Sequence, residues 1–97
     1  MSLTLTPELH RAAKRCVWFE APEEAIRFPA RLAAYILTYG LPEDVRALRA
    51  QLDQGELAQL LDAAPPGIFD ERSWAYWNLI AGRVKAPALP QRLIPGV

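Results

Sequence analysis

The sequence predicts an all-α fold: a small irregular, orthogonal bundle of about five short helices followed by a proline-rich C-terminal tail. Three observations carry that expectation. Apolar residues recur at three- and four-residue steps in one segment after another. No segment alternates apolar and polar with period two over a useful length. Proline and glycine punctuate the junctions between the periodic segments. A chain of 97 residues, 52% hydrophobic and 23% charged, suits one folding unit with one core. The expected division is a single helical domain over residues 1–85 and an extended tail over 86–97. Helices this short, joined by turns this tight, pack more readily at steep angles than as long parallel rods.

Thr6-Pro7-Glu8 is a strong helix start, with a hydroxyl cap, a proline where the missing N–H costs nothing and a carboxylate in the positive first turn. The helix it opens, about 7 to 17, sets Leu9, Ala12, Ala13, Cys16 and Val17 inward and His10, Arg11, Lys14 and Arg15 outward. Pro22-Glu23-Glu24 starts a short helix or turn, because Pro29 follows too soon for more. From Pro29 to Tyr39 the stripe Leu32, Tyr35, Ile36 and Tyr39 predicts a helix, with Gly40 as its left-handed terminator. Leu41-Pro42-Glu43-Asp44 restarts at once, with Val45, Leu48 and Leu52 on one face. Residues Glu56 to Ala64 form the next amphipathic helix, ended by Pro65-Pro66-Gly67.

Asp70 caps the last helix and Gly82 closes it. On a helical wheel Tyr76, Ile80, Trp77, Ala81 and Trp74 share an arc of roughly 160°, and only Glu71 and Asn78 make a polar wedge. A helix so apolar belongs at the centre of the bundle or beneath some other cover. Its aromatics read first as core, then as a partner-binding face, and least as a platform for bases, since Arg72 and Arg83 at the two ends are its only cations.

Residues 1–71 carry seven basic and eleven acidic groups, net −4, whereas residues 72–97 carry four basic and none acidic. The end of the chain is therefore the cationic pole of a molecule with no net charge. An interface follows as hypothesis: Trp74, Tyr76 and Trp77 anchor it, Arg83, Lys85 and Arg92 steer an acidic partner surface, and the tail, with Pro87 and Pro90, orders on contact. The tail spells P-x-x-P-x-R from Pro87 to Arg92, a spacing compatible with a polyproline II strap across the domain.

No catalytic constellation is legible. His10 is the sole histidine and Cys16 the sole cysteine, too few for a metal site or a disulfide. Glu23-Glu24 and Glu43-Asp44 follow prolines at helix starts, where capping explains them. No phosphate-cradling or nucleophile motif is present. The expectation is a protein that is not an enzyme and uses no cofactor or metal. A lone cysteine, with no membrane-length apolar run and no secretory leader at its start, suggests the cytoplasm. The alternative is a small helix-turn-helix-like DNA-binding regulator over 29–52, a poor one because Arg46 and Arg49 sit among Glu43, Asp44 and Asp53. An enzyme with an unrevealed site is the remaining alternative.

Trp18-Phe19, Arg31, Ile36-Leu-Thr-Tyr-Gly40, Val45 and Ser73-Trp-Ala-Tyr-Trp77 together resemble a family of short bacterial proteins with an aromatic start, an arginine-led helix ending in Tyr-Gly and a final tryptophan helix. The resemblance covers roughly residues 18–80. Members are often encoded beside nucleotidyltransferase-type toxins of abortive-infection systems. The resemblance thus implies protein–protein binding in an antitoxin-like or accessory role, with such a toxin as partner. Without it, the choice of protein partner is open and includes self-association.

Overall fold

Two local devices start the helices. In the computed structural model, which describes residues 2–90, α1 (Pro7–Cys16), α2 (Pro22–Ala25), α3 (Pro29–Tyr39) and α4 (Pro42–Arg49) each open on proline. By contrast, α5 (Gln54–Asp62) and α6 (Glu71–Ile80) open on an aspartate cap. Thr6 Oγ1 accepts from Leu9 N–H at 3.1 Å, as its position before Pro7 predicts. Asp53 and Glu56 form a reciprocal capping box, at 2.7 and 3.0 Å, so α5 begins two residues earlier than the apolar stripe alone suggests. Asp70 Oδ1 accepts from Ser73 N–H at 2.7 Å, and that bond holds its carboxyl below the ordinary range. The Asp70 cap therefore persists at neutral pH and is lost only as pH falls through the lowered value.

The all-α expectation holds: six helices, the sixth being the one-turn α2, and no strand among the described residues. The centre, however, is α3 rather than the aromatic helix. It packs against every other helix, whereas α6 packs mainly against α3 and α5. The cause is side-chain size. Leu32, Ala33, Ala34, Ile36 and Leu37 of α3 are all buried, and its two alanines let neighbouring backbones approach closely. Of the two tyrosines expected on the inner stripe, Tyr35 is half-buried and packs against the edge of the core, whereas Tyr39 is 63% exposed. The inner face of α1 is as expected, with Leu9, Ala12, Ala13, Cys16 and Val17 all buried. Leu3, given no role by the sequence, also joins the core, and Gln51 clamps the adjoining segment through both Thr4 N–H and Thr4 C=O, each at 2.7 Å.

Gly40 is not left-handed; its φ is −72°. Glycine is required there by crowding, since a Cβ would lie 2.5 Å from the Ile36 carbonyl oxygen and 3.1 Å from Asp44 Cβ. Gly82 is the true positive-φ terminator, at +93°, packed over the Gln54 side chain.

Beyond Gly82 the chain returns along α6, and the Trp74 indole N–H donates to the Pro87 carbonyl at 2.7 Å. Ala86 and Leu89 pack against the core. This segment provides the cover that so apolar a helix demands. Asn78, expected on a polar wedge, is fully buried. Its Nδ2 donates to Trp74 O at 2.9 Å, and its Oδ1 accepts from Arg83 at 2.7 Å. Arg83 in turn reaches Asp62 at 2.7 Å, tying the start of the returning segment to α5.

Cys16 is buried, and burial pushes its thiol from 9.0 up to about 11. The folded chain thus holds this proton more tightly than the unfolded one. Stability contributed by the neutral thiol is complete below about pH 9 and declines as pH rises toward about 11. At neutral pH Cys16 is expected to resist iodoacetamide until the protein unfolds, which alkylation rates with and without denaturant will check.

Candidate functional site

With Trp74 and Trp77 inside, the exposed aromatics define a different surface. Val17 ends α1 and turns its own side chain into the core, and the next two residues, Trp18 and Phe19, are thrown outward. Trp18 is 79% exposed, the most exposed ring in the described chain. Its ring meets Phe19 edge-on, with centroids 5.6 Å apart at 87°. Phe19 meets Tyr35 at 5.7 Å and 69°. Tyr35 and Tyr39, one helical turn apart on α3, complete the row at 6.3 Å. Four rings thus run from the α1–α2 loop along the outer face of α3.

The row is braced from below. The Arg31 guanidinium carbon lies 5.6 Å from the Phe19 centroid and 5.9 Å from that of Tyr35, within cation–π range. The same guanidinium donates to both carboxylate oxygens of Glu20, at 3.0 and 3.1 Å. With Arg31 spent on Glu20, the surface it supports is apolar and its rings have a fixed backing. The indole N–H of Trp18 and the hydroxyls of Tyr35 and Tyr39 have no hydrogen-bond partner among the described residues. The indoles of Trp74 and Trp77, in contrast, are both engaged.

The expected interface is only partly at the surface. Trp74 and Trp77 are corrected to core residues, 5% and 7% exposed, their indole N–H groups donating to Pro87 O and Leu37 O. Arg83 is corrected as well, because its guanidinium is used on Asn78 and Asp62 and is no free steering charge. Tyr76, Leu79, Val84, Lys85 and Pro87 are exposed, while Pro90 is half-buried. Arg92 lies outside the described residues. A modest apolar face therefore remains on α6, and the more continuous one is the row on α3. Trp18-Phe19 was visible as an adjacent aromatic pair just past the α1 terminus. What hides the site in the sequence is that Tyr39 keeps the spacing of the inner stripe although it is exposed.

A cleft of about 400 Å³ separates α1 from α4, bordered by Glu8, Arg11, Arg15, Glu43, Asp44 and Arg46. Two of its three carboxylates, Glu43 and Asp44, are occupied structurally. Arg15 donates to Glu43 at 2.9 Å and to both oxygens of Asp44, and Asp44 also accepts from Leu41 N–H. The Glu43 hydrogen bond leads in holding the Arg15 guanidinium above its ordinary value. The one hydroxyl of the cleft, Thr6, serves as the α1 cap. His10 points elsewhere, 3.5 Å from Glu23. Among the described residues no group of three or more histidine, cysteine, aspartate or glutamate side chains is placed to hold a metal ion. None of the described helices is long and apolar enough to cross a membrane.

The chain matches no protein-family model, no curated protein and no solved structure.

Proposed function

We propose that this protein is a binding module that works by contact with another protein through the row Trp18, Phe19, Tyr35 and Tyr39. The observation that carries the reading is the solvent-facing Trp18 at the head of a row whose backing, Arg31 on Glu20, is already fixed. Tryptophan and tyrosine dominate interface hot spots, and of the roughly 150–250 Å² that such a side chain can bury, 79% of Trp18 and 63% of Tyr39 is still open to a partner. A rigid exposed row also loses little conformational entropy on binding.

The family resemblance suggests a nucleotidyltransferase-type toxin as partner and an antitoxin-like or accessory role. A DNA-binding role receives less support from α4. Arg49 lies 5.8 Å over the Trp77 ring, and Arg46 borders a cleft that also holds Glu8 and Glu43. Phosphate contacts need cations that are free to be shared. An enzymatic role would have to use a cleft in which Glu43 and Asp44 are committed to Arg15, with Glu8 the one acid that has no partner among the described residues.

The test is co-expression with the genomic neighbour, followed by co-purification and growth rescue. Trp18→Ala combined with Tyr39→Ala is expected to weaken retention at least about 30-fold, a hot-spot loss. Tyr76→Ala should change it by less than about 5-fold, as a peripheral contact does. The reverse order would move the interface to α6. Undiminished retention in both variants would sink the reading.

A further inference from the structure

We infer that residues 84–90 form a releasable strap over α6, and that the seat beneath them is a second binding site, closed by the chain's own segment, for an extended segment of another protein with apolar residues three apart. The inference stands apart from the aromatic row. Its ligand class is read from the segment that already occupies the seat.

The strap is sparsely held. The chain turns at Gly82, and Arg83 anchors that turn through Asn78 Oδ1, Asp62 Oδ1 and the Ala58 carbonyl. Beyond Arg83 the ties nearly stop, for Val84 and Lys85 are exposed. Of all the backbone N–H and C=O groups of residues 84–90, only the Pro87 carbonyl has a hydrogen-bond partner among the described residues, the Trp74 indole N–H at 2.7 Å. Ala86 and Leu89 pack against the core, while Pro87 and Ala88 between them are exposed. An inward side chain at every third residue, with no backbone ladder, is the pattern of polyproline II rather than of a helix or a strand. Segments with so few buried contacts open far more readily than the helices they lie on. The hinge falls at Val84 and Lys85.

The seat, by contrast, is built without the strap. Asn78 Nδ2, one turn along α6, donates to Trp74 O at 2.9 Å, and Phe69 meets the Trp74 indole edge-on with centroids 5.3 Å apart. Arg83, which holds Asn78, lies before the hinge. Lifting residues 84–90 therefore bares a ring pair already in place, and its indole N–H passes from a carbonyl to water instead of being stranded. An occupant must bring one carbonyl to that N–H, with an apolar residue just before it and another two residues after, as Ala86 and Leu89 stand about Pro87. Proline suits the carbonyl position because it has no N–H left to satisfy. Aromatic-lined surfaces take extended segments of this kind. The strap competes in cis at an effective concentration in the millimolar range, so it screens the seat against weak ligands.

The first test is hydrogen exchange on the full-length, ¹⁵N-labelled protein. The Trp74 indole N–H is expected to exchange at least about 100-fold faster than that of Trp77, which donates to Leu37 O inside the core. Equal rates would mean that the strap opens only with the whole fold, and would overturn the inference. The second test uses full-length Leu89→Asp, which removes one inward side chain of the strap. Its circular dichroism should be unchanged, its Trp74 indole signal displaced and its Trp77 signal in place. A synthetic peptide of residues 83–90 should return the Trp74 signal to its original position, whereas a glycine–serine octapeptide should not. The unaltered chain should need at least about 10-fold more peptide for the same occupancy, because its own strap competes. No return at millimolar peptide, an equal response to the glycine–serine control, or loss of helix in Leu89→Asp each overturns the inference. So does a Trp74 shift in the unaltered protein that follows protein concentration alone, which would give the seat to a second copy.

Discussion

Trp77→Ala is expected to cost about 3–5 kcal/mol, the range for truncating a large buried aromatic. Against the roughly 5–15 kcal/mol that holds a small domain together, this brings the chain close to unfolding. Two losses combine. The ring is 7% exposed and packs beneath Arg49 and edge-on to Tyr76 at 4.9 Å, so its removal leaves a cavity between α6 and α3. Its indole N–H also donates at 2.9 Å to Leu37 O, a carbonyl in the last turn of α3. The amide that would have served that carbonyl, Leu41 N–H, is turned to Asp44. Trp77 is thus both core and C-terminal cap of the central helix. Trp77→Phe, which keeps most of the volume, isolates the cap and should cost about 1–2 kcal/mol on top of a small packing change. The adjacent Tyr76→Ala should cost under about 1 kcal/mol, as a half-exposed position does. Urea titration of the three variants reads the order directly, and a Tyr76→Ala cost equal to that of Trp77→Ala would contradict the assignment of core and surface.

The contrast between these neighbours shows what the sequence can and cannot say. Periodicity names a face but not the element that covers it. On α1 the two coincide: the side away from His10, Arg11, Lys14 and Arg15 is the only apolar one, and it is the buried one. On α3 they part, because a helix packed by five others buries more than one stripe, and the residues left outside are decided by where the α1–α2 loop brings Phe19. Both tyrosines satisfy the spacing of a core stripe, yet Tyr35 reaches only the edge of the core and Tyr39 is exposed, while Ala33, Ala34 and Leu37 are buried. On α6 the cover is the returning segment after Gly82, a contact set by a carbonyl no side-chain pattern encodes. Asn78 was assigned to solvent because it is polar. Its burial depends on Arg83 and Asp62, one beyond the helix and the other on α5, so helical spacing gave no sign of it. One missed feature was legible. Asp53-Gln-Gly-Glu56 has the spacing of a capping box and marks the start of α5 better than its leucines do.

Asp44→Ala is expected to be the most costly polar substitution, at about 2–4 kcal/mol. The carboxylate is 2% exposed and serves three neighbours. It accepts from Leu41 N–H at 2.9 Å, which caps α4 and is worth about 1 kcal/mol. It accepts from Arg15 at 2.9 and 3.0 Å, a charge-assisted bond that joins α4 to α1 and is screened by water on the arginine side. Cys16 Sγ approaches one of its oxygens at 3.9 Å. A carboxylate with no such partners would be driven out of the core, since burying it alone costs far more than the helix could return. Asp44→Asn keeps an acceptor for Leu41 and surrenders the charge, so its cost should fall between that of Asp44→Ala and that of Arg15→Met. The arginine is 41% exposed and retains water when unpaired, so its loss should cost the least of the three. A double-mutant cycle on Arg15 and Asp44 then measures the link between the helices. A measurable coupling, no larger than the cost of Arg15→Met itself, is the expected result. Coupling near zero, with Asp44→Ala still costly, would place the whole effect in the α4 cap and remove Arg15 from the forces that hold α1 to α4.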